Sequence, residues 1–143
     1  MSDHRHGDIY PDEFVREILD SVKTIALVGA SANPNKPSHA VLKDLLSKGY
    51  QVLPVNPRPD VTEIAGLPVY DTLAAIDRSV DMVDVFRPAN ELAGLAREAV
   101  AIQARVLWGQ LDIVDEQAAA IARAGGLQVV MDRCPSIELA RTH

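Results

Sequence analysis

Ile25-Ala26-Leu27-Val28-Gly29-Ala30-Ser31 decides the fold of this 143-residue chain. Four consecutive apolar residues without polar alternation read as a strand buried on both faces, the pattern of a parallel sheet covered by helices. The run ends in three small residues, which let the backbone turn tightly at the carboxyl end of the strand. On its amino side, Phe14, Val15, Ile18, Leu19 and Val22 recur at helical spacing after Pro11, which suits a first helical turn. On its carboxyl side, Pro37 opens a second helix with Val41, Leu42, Leu45 and Leu46 inward and Gly49 as its stop.

The alternation continues along the chain. Gln51 to Val55, Met82 to Phe86, Val106 to Trp108 and Gln128 to Met131 read as further strands. Between them lie a helix from Pro88 carrying Leu92, Leu95, Ala96, Ala99 and Val100, and one capped by Asp115 and stopped at Gly125-Gly126. A short helix around Ser136 to Ala140 closes the chain. Leu67-Pro68-Val69-Tyr70 reads as a short edge strand, because proline cannot donate to a ladder. Thr72 to Ile76 reads as a short helix. No hairpin signal separates the strands. The expected fold class is therefore α/β: a Rossmann-like three-layer domain with a five- or six-stranded, mainly parallel sheet and helices on both faces. The domain is expected over residues 13–141, after a flexible tail at 1–12. Its first strand is central, beside a topological switch point, and ligands of such sheets sit at the carboxyl ends of the strands.

Composition narrows the function classes. Hydrophobic residues make up 48% of the chain but aromatics only 4%, so the core rests on Val, Leu, Ile and Ala. A formal net charge of -6 argues against a general nucleic-acid binder, which needs a basic face. Cys134 is the single cysteine, which excludes an internal disulfide and fits a reducing cytoplasm. The polar Met1 to Gly7 lacks the apolar run of a signal peptide, and no stretch approaches the roughly 18 apolar residues of a membrane span. A soluble cytoplasmic protein without membrane contact is expected.

The segment from Gly29 through Ala30, Ser31 and Lys36 to Pro37 and Ser38 joins the first strand to its helix. Small residues here let backbone N–H groups approach phosphate oxygens, and the following helix turns its positive end toward them. Ser31 and Ser38 add hydroxyls, and Lys36 adds a compact cation. The segment is not G-x-G-x-x-G, since serine and proline stand at 31 and 34. Dinucleotide sites for NAD also place an acid after the second strand. Here that strand ends in Asn56-Pro57-Arg58, and an arginine suits an extra ribose phosphate, as in NADP or coenzyme A.

Gly29-Ala30-Ser31 with Pro34, Lys36-Pro37-Ser38, Val55-Asn56-Pro57, Val83-Asp84-Val85-Phe86-Arg87, Trp108 with Gln110, and Val130-Met131-Asp132-Arg133-Cys134 together resemble the stand-alone CoA-binding protein family. That domain is similar to the CoA-binding domain of succinyl-CoA synthetase α subunits and acyl-CoA synthetases. The resemblance implies coenzyme A, or an acyl-CoA, as ligand. It implies that residues 29–38 hold the pyrophosphate, and that Asn56 to Arg58 and Phe86-Arg87 border the adenine and ribose. The chain departs from the family pattern at His39 and Ala40, where a tyrosine and often an arginine are usual, and at Asp112, where a glycine is usual.

Other residues with reactive chemistry have structural readings. Cys134 fits a buried small residue at a helix start, or a thiol made reactive by Arg133 in a redox-responsive interaction protein. His4 and His6 form an H-x-H in the tail, short of the ligands a zinc site needs. Asp84 lies inside an apolar run and, if buried, needs a partner such as Arg87 or Arg105. Trp108 fits either a pantetheine contact or the core. No nucleophile elbow, Walker loop or HExxH pattern occurs, so a binding module without catalysis is expected. An NADP-dependent oxidoreductase is the alternative. No residue pattern decides between a monomer, a homodimer and a complex with another protein.

Overall fold

The computed structural model describes residues 6–58 and 60–143. Five parallel strands form one sheet: β1 (Thr24–Val28), β2 (Gln51–Val55), β5 (Met82–Val85), β6 (Val106–Gly109) and β7 (Gln128–Val130), in the order β2-β1-β5-β6-β7. The pairing is in continuous register, with Leu27 opposite both Pro54 and Asp84, and Asp84 opposite Trp108. From β1 the chain first adds β2 on one side and then β5 on the other. The switch point therefore lies between β1 and β5, where parallel sheets leave a crevice at their carboxyl ends.

Each face of the sheet has its own core, because successive side chains point to opposite sides. Ile25, Leu27, Met82, Val106 and Trp108 face α1 (Asp12–Ser21), α2 (Pro37–Ser47) and α5 (Pro135–Thr142), meeting Ile18, Leu42, Leu45 and Leu139. Ala26, Val28, Val83, Val85 and Leu107 face α3 (Leu92–Ala101) and α4 (Glu116–Ala124), meeting Leu92, Ala96, Ala118 and Ala122. The many alanines on the second face let α3 and α4 sit close to the sheet and to each other. Among the described residues, no helix is long and apolar enough to cross a membrane.

Three sequence expectations are corrected here. A small antiparallel hairpin, β3 (Glu63–Ile64) and β4 (Leu67–Pro68), stands beside the main sheet. Ala65 and Gly66 both adopt positive φ, 51° and 80°, the left-handed pair that a two-residue hairpin turn requires. Tyr70 then bridges to the outer edge of β2, its N–H donating to Pro54 O and its carbonyl accepting from Asn56 N–H. Pro54 thus occupies an edge strand, where its missing N–H breaks no ladder.

The expected flexible tail is anchored from His6 onward; His4, the other half of the H-x-H, lies outside the described residues. A 3-10 turn at His6–Ile9 places Gly7 and Tyr10 in the interior. Gly7 N–H donates to Asp132 Oδ2 at 3.1 Å, and Tyr10 Oη accepts from Met131 N–H at 3.0 Å. Arg133 completes the clamp with Nε on Gly7 O (2.9 Å), Nη2 on Tyr10 O (3.1 Å) and Nη1 on Glu138 Oε1 (2.6 Å). Arg133 and Glu138 are only 12% and 5% exposed, and without Arg133 the buried carboxylate keeps only Arg141, a half-exposed partner at 2.7 Å. Arg133→Met is expected to cost about 3 kcal/mol, read as a lower urea midpoint. Accelerated hydrogen exchange should appear at residues 6–10 and 131, and unchanged exchange there would refute the clamp.

The third correction concerns Asp84. It is fully buried in the row between Leu27 and Trp108, and neither carboxylate oxygen has a hydrogen-bond partner among the described residues. Arg87 is engaged by Glu91 and Arg105 by Asp81. Strand residues three apart point to opposite faces, so the Arg87 side chain cannot turn back to Asp84.

Candidate functional site

A cavity of about 770 Å³ opens at the switch point, in the size range of small-molecule sites. Its floor is the end of β1, where Gly29 (φ +90°) turns the chain away from the sheet. A Cβ at Gly29 would stand 2.7 Å from Phe86 O, so only glycine lets β1 and β5 approach this closely at their ends. The Gly29 and Ala30 N–H groups both donate to Val55 O, and Asn56 Nδ2 donates to Ala30 O at 2.7 Å. The loop is therefore tied to the end of β2.

Beyond Ala30 the loop is braced by its own side chains. Ser31 Oγ accepts from Asn33 N–H, Asn33 Oδ1 accepts from Asn35 N–H, and His39 Nδ1 donates to Ser31 O at 2.8 Å. His39, a departure from the family pattern, thus pins the loop to the first turn of α2. The N-cap of α2, Lys36, makes no side-chain cap, and Pro37 follows as the first helical residue. The amides of Ser31 and Ser38 have no partner among the described residues. Free amides at a helix start attract an anion.

Eleven of the thirteen residues singled out from the sequence line this one cavity: Gly29, Ala30, Ser31, Lys36, Pro37, Ser38, Asn56, Pro57, Arg58, Phe86 and Arg87. Trp108 and Gln110 do not. The Trp108 ring is fully buried in the core, with Nε1–H donating to Arg133 O at 2.7 Å. Gln110 is buried as well, continuing the ladder of β6 through its N–H to Val85 O. The cavity lies between β1 and β5, while β6 stands one strand further on, so both residues sit outside this cavity. Asp112 (φ +65°) also lies away from the cavity, its N–H donating to Asp132 Oδ1. Cys134 is buried at the start of α5.

The opposite wall was not read from the sequence. Asp71, Thr72 and Leu73 reach the cavity because Tyr70 docks on β2. Glu91, Leu95 and Glu98 come from the start and one face of α3. Their spacing of four and three residues was a helical stripe that could have been noticed. Charge in the lining is balanced: Lys36, Arg58 and Arg87 against Asp71, Glu91 and Glu98. Arg87 forks onto Glu91, Nε to Oε1 at 3.1 Å and Nη2 to Oε2 at 2.7 Å. The guanidinium holds the Glu91 carboxyl below the usual carboxylate range.

Comparison with known proteins fits this geometry. A family model described as a CoA binding domain matches residues 23–140. The uncharacterized protein YneT of Bacillus subtilis is 38% identical over 128 residues, 90% of this chain and 93% of YneT. The alpha subunit of an ADP-forming acetate–CoA ligase from Pyrococcus furiosus is 37% identical over 78 residues, 52% of this chain but 17% of that subunit. A hypothetical protein from Pyrococcus horikoshii OT3 superposes with a TM-score of 0.90 at 35% identity, covering 99% of this chain and 98% of its own. With a parallel sheet of this order and a family match over more than three quarters of its length, the chain belongs to the CoA binding domain family.

Proposed function

We propose that the protein binds coenzyme A or an acyl-CoA non-covalently in the switch-point cavity and performs no chemistry on it. The observation that carries this reading is that Ser38 at the open N-terminus of α2, Ser31 in the loop before it, Lys36 and Arg58 all line one cavity. The donor set fits the group. Backbone amides and Lys36 suit a pyrophosphate, and Arg58, just past β2, suits a phosphate on the ribose. Phe86 and Leu95 offer apolar surface to the rest of the ligand.

Our reading of binding without catalysis takes two of the cavity's hydroxyls as braces of the local backbone. Ser31 Oγ accepts from Asn33 N–H and Thr72 Oγ1 from Ala75 N–H. Neither is hydrogen-bonded to a histidine or carboxylate among the described residues, so neither is activated as a nucleophile. Cys134 is 5% exposed and does not line the cavity, which weighs against a thiol-based role. A reducing cytoplasm suits a single buried cysteine.

Calorimetry of the purified protein against coenzyme A, 3′-dephospho-coenzyme A and NADPH tests the reading. Coenzyme A is expected to bind, and loss of the 3′-phosphate is expected to weaken it. Arg58→Ala should weaken coenzyme A about tenfold while leaving the dephospho form unchanged. No heat with coenzyme A at millimolar concentration would overturn the proposal, and preference for NADPH would favour the oxidoreductase alternative.

A further inference from the structure

The cavity carries three carboxylates among its lining residues, an odd endowment for a site meant to hold phosphates. One of them is committed to a specific partner. Glu91 forks onto Arg87 with two hydrogen bonds, and the side chains are 42% and 45% exposed at the cavity wall. The Arg87 Cδ fills the space beside Gly29, 3.1 Å from where a Cβ would stand. Its head lines the cavity with Nε and Nη2 hydrogen-bonded to Glu91. A phosphate that enters must either share the guanidinium with Glu91 or displace it.

We propose that Glu91 is a competing counter-ion that holds Arg87 in the ligand-free protein and lowers the affinity of the cavity for anionic ligands. This rests on the proposed anion-binding role of the site. Two effects act in the same direction. Where a ligand displaces Glu91, the fork must first loosen, which lowers apparent affinity by the fraction of molecules with Arg87 free. The carboxylate also repels a nearby phosphate until it moves. The repulsion grows with the charge of the ligand, so a polyanion is held back most by Glu91 and gains most when that charge is removed. Glu98, with no such fork, does not act through Arg87.

Calorimetry with coenzyme A and with inorganic pyrophosphate, on the parent and on Glu91→Gln, Glu91→Asp, Arg87→Gln and the double variant, separates the possibilities. Both residues are half-exposed, so all variants are expected to fold. Glu91→Gln is expected to bind both titrants about five- to tenfold tighter. Glu91→Asp keeps the charge on an arm too short for the fork and should recover part of that gain. In the Arg87→Gln background, Glu91→Gln should give no further gain. Equal or weaker binding by Glu91→Gln would overturn the proposal. So would an undiminished gain without Arg87, which would reduce Glu91 to a general charge. If neither titrant binds any variant, the anion-site reading itself falls and this one with it.

Discussion

Folding stability is expected to fall from about pH 4 to about pH 8, and Asp84→Asn is expected to remove most of that fall. Burial pushes the Asp84 carboxyl up to about 8 from an unfolded value near 3.8, with no charge acting on it to offset the lost hydration. Below about pH 4 the group is protonated in both states and costs little. Between the two values the unfolded chain releases the proton and the folded one retains it, so unfolding is favoured as pH rises. Above about pH 8 both states are ionised and the loss is complete. The difference between parent and Asp84→Asn should therefore change by several kcal/mol, on the order of one per pH unit, in favour of the variant at alkaline pH. Near pH 4 the variant should be level with the parent or slightly less stable, since its amide brings two buried donors in place of one. Urea unfolding at half-unit pH steps reads this directly. Parallel pH profiles for the two proteins would mean that Asp84 is ionised in the fold.

Asp81, three residues earlier, shows why position decides this. Burial alone would raise it, but the amides of Lys23 and Thr24 and the guanidinium of Arg105 outweigh burial and hold it below the usual range. It sits just before β5, within reach of neighbouring loops. Asp84 sits inside the same strand, flanked by Leu27 and Trp108, where only side chains from the helices above could meet it. Those helices bring Ile18, Leu42 and Leu45 to that face.

The sheet was legible because four-residue apolar runs cannot be satisfied except by burial on both sides, and the helices between them show a clear apolar stripe. The loop at residues 29–38 was legible for the same reason that it is useful: small residues and a proline-opened helix are a local pattern. What escaped was non-local. Glycine is the usual residue where φ is positive, so Ala65 at φ 51° masked the hairpin. The seating of Gly7 and Tyr10 depends on Asp132, Met131 and Arg133, more than 120 residues away in the chain. Trp108 lies near the end of β6 and Gln110 just past it, but knowing that a residue ends a strand does not say how far that strand stands from the crevice. The acidic wall required the strand order, because Asp71 arrives through the docking of Tyr70 on β2 while Glu91 and Glu98 follow β5 into place beside β1.

Gly29→Ala is expected to destabilise the protein by about 2–4 kcal/mol and to abolish ligand binding by the folded fraction. Two costs add at this position. The backbone sits at φ +90°, which a residue with a Cβ adopts only under strain. The new methyl would also stand 2.7 Å from Phe86 O and 3.0 Å from Phe86 C, backbone atoms just past β5 that cannot rotate away. Relief requires β1 and β5 to part at their carboxyl ends, where Phe86 N–H donates to Val28 O and where the cavity floor lies. Gly49 supplies the control. It has nearly the same φ, +93°, but nothing lies within 4 Å of its built Cβ. Gly49→Ala should therefore incur only the backbone strain, about 1 kcal/mol, and leave binding intact. The difference between the two variants in urea melts isolates the strand contact, and calorimetry with coenzyme A shows whether that contact shapes the site. Equal losses in both variants would mean that the close approach of β5 to Gly29 contributes nothing, and that glycine is needed there for its φ alone.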